Sequence, residues 1–234
     1  MKTYQCSRNN SLAATLLAFL LCVSGSAIAE EPGRGISAQF EKEFLRMIIN
    51  HHYSALRITE LAAGTDVHRD GQVTPAEGTS PTPGTASTPG KSRIDDVRSL
   101  ARRNNRMQRE EILMAQGFLR NWYGITHAPQ LDDVGRRMIH ELEHASAGPQ
   151  FDHAFLEVLS RHHFMALSPA ATCVVASDVL HTELQRYCRN IVQAQLSDIE
   201  EMRDMLAKHF NIADYQPTRG IRGIHTGSER EGEQ

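Results

Sequence analysis

The chain has 234 residues, of which 40% are hydrophobic and 23% charged, and its formal net charge at pH 7 is −3 with neutral histidines. This length is sufficient for one domain with a sizeable hydrophobic core. The slightly acidic balance, without a basic stretch, excludes the electrostatic footprint of a nucleic-acid-binding protein.

Residues 1–29 have the layout of a cleavable secretory signal peptide. Lys2 and Arg8 precede an apolar run over 12–23, and the segment ends in the small-residue sequence Ala-Ile-Ala. The apolar run is too short to span a membrane. We therefore predict a periplasmic or secreted protein without a membrane anchor, whose mature chain begins at Glu30.

A long amphipathic helix is predicted over residues 37–63. Its large apolar side chains recur at three- and four-residue steps, which places them on one helix face. His51 falls inside this apolar stripe and is expected to point inward, whereas His52 lies about 100° further round, at the edge of the stripe. Gly64 is expected to end the helix.

The next segment, residues 65–91, is predicted to be a flexible insertion. It holds four prolines, several glycines and threonines, and almost no large apolar side chain. Such a composition cannot bury enough apolar surface to offset the conformational entropy lost on ordering.

A second long helix is predicted over residues 94–123, and it completes a first repeat that covers 30–125. Glu111 and Gln108 lie on the interior face of this helix, where most neighbours are apolar. A helix that brings a carboxylate into the interior needs a partner for it.

A shorter connecting helix is predicted within residues 126–150. It carries His140, Glu141, Glu143 and His144. We interpret these four side chains as a charged and solvated helix face.

The second half of the chain repeats the first. Residues 40–56 and 151–167 align without a gap, and the alignment superimposes their two His-His dipeptides. His162 is therefore predicted to point inward and His163 to flank it. Pro169 should kink or end this third long helix, because proline lacks the amide and crowds the preceding turn.

A fourth long helix is predicted from about residue 178 to 210. Its Gln195 and Asp198 correspond to the Gln-x-x-Glu of the second helix. Repeat 2 covers 151–213, and the polar tail 214–234 is predicted to be disordered. Two helical hairpins that each leave an apolar face exposed are expected to pack as an all-α four-helix bundle with pseudo-twofold symmetry.

Only Cys173 and Cys188 remain once the leader is removed. An even number of cysteines in an exported chain predicts a disulfide bond between them. Two thiols alone are too few for a closed structural zinc site.

The buried polar groups of the two repeats allow two interpretations, because buried ionisable side chains must be paired or must bind a metal. In the first, each inward histidine bonds the carboxylate of its own repeat, His51 to Glu111 and His162 to Asp198, and fixes the register of the bundle. In the second, His51 and His162 are the primary ligands of a transition metal. The complete candidate metal set comprises His51, His52, His162, His163, Glu111 and Asp198.

The His-His helix followed by Gln-x-x-acid-Ile resembles the secreted bacterial proteins of domain-of-unknown-function family 305, which are similar to ferritin-like four-helix bundles. The two-copy form of that family fits best, over residues 37–210. Its second half resembles a series of Cys, His-x-Glu-Leu, Cys and Gln, which here begins at Cys173 and ends at Gln195. Because some relatives are implicated in periplasmic copper binding, the resemblance implies copper. Ile58 and Pro169 stand where many members have methionine.

We therefore expect an exported, ferritin-like all-α bundle that binds a transition metal, copper before zinc, and serves in metal handling or resistance. A ferritin-like dinuclear-metal oxidoreductase is an alternative, although none of the four long helices carries a Glu-x-x-His. A metal-free helical interaction module whose histidines sense pH is another. No nucleophile motif or glycine-rich phosphate loop is found, which favours a role other than catalysis.

Overall fold

The computed structural model describes residues 36–66, 79, 81–177 and 179–218. Within these ranges the chain forms five α-helices and no strand: α1 (Ile36–Ala63), α2 (Asp95–Tyr123), α3 (Asp133–His144), α4 (Pro149–Val175) and α5 (Thr182–Phe210). The expected all-α class is confirmed. The leader 1–29 and most of the tail 214–234 lie outside the described residues.

The helices form a bundle built from two hairpins. α1 packs along α2, and α4 packs along α5. α1 also contacts α4, and the short helix α3 lies against both of them. None of the helices in the described ranges is long and apolar enough to cross a membrane.

Two apolar clusters form the core, one towards each end of the bundle. The first includes Leu100, Phe151 and Phe155, and the second includes Leu45 and Leu119, all of them fully buried. Burial of a side chain of this size contributes about 1.5–3 kcal/mol each. Along all four long helices, residues between the two clusters are largely polar, and the candidate site lies there.

Pro169 does not end its helix, since α4 continues through it to Val175. The missing proline amide removes one helical hydrogen bond. The residues after it remain helical because Ala170 and Cys173 are fully buried in the second apolar cluster, and Cys173 is covalently joined to α5.

The structure contains the predicted disulfide between Cys173 of α4 and Cys188 of α5. Both cysteines are completely buried. The bond therefore closes the second hairpin at the end where the chain passes from α4 to α5.

Replacing both cysteines by serine is expected to lower the free energy of unfolding by about 3 kcal/mol, the chain-entropy value for a loop of this size. Urea unfolding of the oxidised protein and of the Cys173→Ser/Cys188→Ser variant measures the difference. A reduced wild-type sample is the matched control and should unfold at the midpoint of the variant. A loss below about 0.5 kcal/mol, the range of neutral surface substitutions, would contradict this expectation.

The prediction of a flexible insertion over 65–91 is wrong for residues 81–91, which lie against the first hairpin. The Tyr53 hydroxyl donates to the Pro83 carbonyl at 2.6 Å, and the Arg57 guanidinium donates to the Ala86 carbonyl at 3.1 Å. The composition of the segment does not reveal these bonds, because its backbone rather than its side chains makes them. Residues 67–78 and 80 lie outside the described ranges.

Candidate functional site

A layer of polar side chains crosses the bundle between the two apolar clusters. We call it the polar layer, and its members come from all four long helices: His51, His52, Asn104, Gln108, Glu111, His162, His163, Gln195 and Asp198. Most of them are almost completely buried. Polar groups in such a position are costly unless they are paired or bind a ligand.

Each carboxylate of the polar layer contacts the second histidine of its own hairpin. His52 Nε2 lies 2.9 Å from Glu111 Oε2, and His163 Nε2 lies 3.1 Å from Asp198 Oδ2. His163 Nε2 also lies 2.9 Å from Asn104 Oδ1. A contact between the second histidine of a His-His pair and a carboxylate thus occurs in both hairpins.

The predicted pairing of the carboxylates with His51 and His162 is therefore wrong. The expectation that His52 and His163 merely flank the stripe is also wrong, because both are fully buried. A helical wheel gives the direction of a side chain but not its neighbour. The second histidine of each pair faces the partner helix of its own hairpin, whereas the first faces the other hairpin.

His51 and His162 meet between the hairpins, where their rings stack with centroids 3.8 Å apart and planes inclined by 15°. His162 Nε2 lies 3.0 Å from both the His51 carbonyl oxygen and Ser54 Oγ. Because a carbonyl oxygen can only accept, the His162 Nε2 carries the proton and its Nδ1 keeps a lone pair.

Burial controls the charge of this stacked pair. Desolvation, followed by the nearby His52 and His163, lowers the pKa of His51 to about 3. Desolvation, followed by the nearby His51 and His163, holds the pKa of His162 well below its ordinary value. Both rings are therefore neutral at physiological pH, and neutral imidazole is the form that binds metal ions.

Several ring nitrogens of the polar layer have no hydrogen-bond partner among the described residues. They are His51 Nε2, both nitrogens of His52, His162 Nδ1 and His163 Nδ1. His52 Nε2 and Glu111 Oε2 lie close together but are not aligned for a hydrogen bond, so neither atom has a hydrogen-bond partner among the described residues. The side-chain amides of Gln108 and Gln195 are unbonded as well. Native interiors contain few such groups, so their concentration here requires an explanation.

The polar layer does not present a finished metal site. In the described part of the chain, no three His, Cys, Asp or Glu side chains are arranged to hold a metal ion. The six predicted ligands meet only as pairs, and in one of these pairs the His51 and His162 rings are stacked on each other. A closed tetrahedral site would need at least two further converging donors beside any such pair.

A second buried cluster was not anticipated from the sequence. Glu41 of α1 is fully buried, and its carboxylate accepts from the Leu180 and His181 amides at 2.6 and 3.0 Å. It also binds His181 Nδ1 at 2.6 Å and the Tyr123 hydroxyl. We call these residues the Glu41 cluster. The available signal was the position of Glu41 three residues before Phe44, on the apolar stripe of α1.

Comparisons with known proteins place this fold. The sequence profile described as "Domain of unknown function (DUF305)" matches residues 85–206, just over half of the chain, in one span. No curated protein matches the sequence.

Two solved structures resemble the chain, and each comparison covers 72% of this chain and 96% of the other. One is the crystal structure of a DUF305 fragment from Deinococcus radiodurans, with 22% identity and a TM-score of 0.52. The other is CopM in the Cu(II)-bound form, with 19% identity and a TM-score of 0.50. At these identities the likeness concerns the fold alone.

Proposed function

The chain belongs to the family described as domain of unknown function 305, and we propose that it is an exported protein that binds a transition-metal ion, copper before zinc, at the polar layer. The observation behind this proposal is a set of interior imidazoles, each with at least one ring nitrogen that has no hydrogen-bond partner among the described residues. Burial keeps two of them, His51 and His162, neutral. Each such group costs about 1–3 kcal/mol when it stays unpaired. A bound cation would satisfy several of them at once.

The donor set favours a metal of intermediate softness. Both cysteines outside the predicted leader are joined in the disulfide, so thiolate is not offered. Imidazole nitrogen suits copper(II) and zinc, and Glu111 and Asp198 contact His52 and His163 as carboxylates commonly do behind ligating histidines. Binding would require that His51 and His162 turn out of their stack so that their lone pairs converge.

Two further features support the proposal. The predicted leader 1–29 and the disulfide are typical of exported proteins. A protein of similar fold, CopM, is known in a Cu(II)-bound form, which makes copper the first ion to test.

The same His–carboxylate pair in both hairpins supports a two-copy, ferritin-like bundle.

A metal-free role is the second candidate. It is favoured by the contacts of His52 with Glu111 and of His163 with Asp198, and by the absence of three converging donors among the described residues. In this case the polar layer would fix the register of the hairpins, as buried polar groups do in some bundles.

Titration calorimetry with Cu(II) and Zn(II) distinguishes the two candidates. The protein is the chain from residue 30 onward, purified without a histidine tag, with His140→Ala and His144→Ala in every sample to remove two exposed histidines. Adding His51→Ala or His162→Ala should weaken copper binding by about tenfold or more, because each removes an imidazole donor.

The matched control is His153→Ala, which removes a half-exposed histidine that pairs with Glu157 at 3.4 Å. It should leave the affinity unchanged, and circular dichroism establishes that each variant is folded. If the starting protein binds neither ion, the metal-free role is the correct one. If both interior variants bind as tightly as the starting protein, the ion does not bind at the polar layer, and the proposed site is wrong.

A further inference from the structure

A second histidine pair lies on the outer surface of α3. His140 and His144 are exposed and one helical turn apart, and their ring centroids are 4.0 Å apart with planes inclined by 32°. Residues four apart lie on the same face of a helix. This pair is separate from the polar layer, to which α3 contributes no residue.

The backbone fixes the tautomer of one of the two rings. His144 Nδ1 lies 2.8 Å from the His140 carbonyl oxygen. Because the carbonyl can only accept, Nδ1 carries the proton and Nε2, on the far side of the ring, keeps its lone pair. A hydrogen bond of this kind from the other ring nitrogen commonly orients histidines that bind metal ions.

The spacing of the two rings also suits one ion. Nitrogens that bind a common zinc ion at about 2.0–2.1 Å lie about 3–4 Å from each other. With ring centroids 4.0 Å apart, the two side chains are near enough that rotation of the rings would bring one nitrogen of each to that separation. The segment His140-Glu141-Leu142-Glu143-His144 has the His-Glu-x-x-His spacing, which places two histidines on one helix face for zinc.

The remaining parts of a metallopeptidase site are missing from the described residues. Glu141, which would have to act as a general base, is bound to Arg161 at 2.9 Å. No third His, Cys, Asp or Glu within the described ranges completes a ligand group with the pair. His140 and His144 are also both exposed to solvent. The motif here is therefore a binding feature without the catalytic apparatus.

We propose that His140 and His144 form a surface chelate for a divalent transition-metal ion, Cu(II) or Zn(II), with water in the remaining coordination positions. Two donors held on one helix bind an ion more tightly than either alone, because the second bond forms at a high effective concentration. The site is independent of the polar layer, so the protein would accept an ion at its surface whether or not its interior binds one.

Zinc titration by calorimetry and copper titration by electron paramagnetic resonance test the proposal on the untagged chain from residue 30 onward. In either variant, His140→Ala or His144→Ala, the affinity of this site should fall by about tenfold or more. The wild type should therefore bind one more ion per chain than the variants under the same conditions. Both positions are exposed, so the melting temperature should stay within about 2 °C of the wild type.

A matched control keeps the number of surface histidines constant. In the variant His140→Ala/Arg137→His, two histidines remain on α3 but lie seven residues, or about 10 Å, apart, too far to share an ion. This variant should bind as weakly as His140→Ala. Binding by His140→Ala or by His140→Ala/Arg137→His equal to that of the wild type, or binding of neither ion at this site by the wild type, would overturn the proposal. The calorimetric test of the polar layer uses protein that lacks His140 and His144. Its result is therefore distinguishable from the result for the surface chelate.

Discussion

Replacing Glu41 by alanine is expected to lower the free energy of unfolding by about 3–5 kcal/mol, the cost of breaking a buried charged pair. Glu41 is fully buried and accepts from the amides of Leu180 and His181, from His181 Nδ1 and from the Tyr123 hydroxyl. Truncation leaves these donors without an acceptor, and each unsatisfied buried group costs about 1–3 kcal/mol. Water that enters the cavity left by the Glu41 side chain can accept from some of these donors, so the total loss is smaller than the sum of the individual costs.

The matched control is Glu43→Ala, which removes the same type of residue from the same helix at an exposed position. Glu43 bonds only to the Gln39 amide, at 2.8 Å, among the contacts described for it. Its replacement should change stability by less than about 0.5 kcal/mol. Urea unfolding at neutral pH measures both variants. A Glu41→Ala protein within about 1 kcal/mol of the wild type would show that the stranded donors find other partners.

The Glu41 cluster joins the two hairpins where the chain enters α5. Glu41 belongs to α1 and Tyr123 to α2, whereas Leu180 and His181 lie directly before α5. Trp122 adds a stacked contact with the His181 ring, with centroids 3.9 Å apart. A carboxylate at this helix start also interacts favourably with the positive end of the helix dipole. The cluster therefore fixes the position of α5 relative to the first hairpin.

The sequence predicted the long helices well because their signal is local. Apolar residues at three- and four-residue steps gave 37–63 and 94–123, and the structure has α1 at Ile36–Ala63 and α2 at Asp95–Tyr123. The start of α5 was placed about four residues too early, since Glu41 of a distant helix binds the amides of the connecting segment.

The partners within the polar layer could not be predicted in the same way. Periodicity identified His51, His52 and Glu111 as neighbours of the interior, but the orientation of the hairpins decides which histidine meets the carboxylate. That orientation depends on contacts between residues far apart in the chain, and a single sequence does not record them. The packing of residues 81–91 on α1 was missed for the same reason.

Acidification is expected to destabilise the protein strongly through the stacked histidines. Burial lowers the pKa of His51 to about 3, whereas the unfolded chain titrates near 6.5. The unfolded state thus binds a proton that the folded state excludes, so stability that is complete above about pH 6.5 is lost as the pH falls towards 3. At pH 5 this loss is about 2 kcal/mol for His51. The pKa of His162 is lowered in the same direction, so its protonation adds to this loss, and about 2 kcal/mol is already a large share of a typical total of about 5–15 kcal/mol.

Urea unfolding at about pH 7.5 and about pH 5 measures this loss. In His51→Gln the difference between the two pH values should shrink by about 2 kcal/mol, because glutamine does not titrate. In His162→Gln it should shrink in the same direction. The comparison within each variant cancels any pH-independent cost of the substitution. His153→Gln is the control, since its histidine side chain is 39% exposed and its replacement should leave the pH difference unchanged. If both interior variants lose as much stability as the wild type, carboxylate pairs elsewhere are responsible for the acid sensitivity. A pH difference that shrinks only in the interior variants would show that the stacked imidazoles stay neutral in the folded protein.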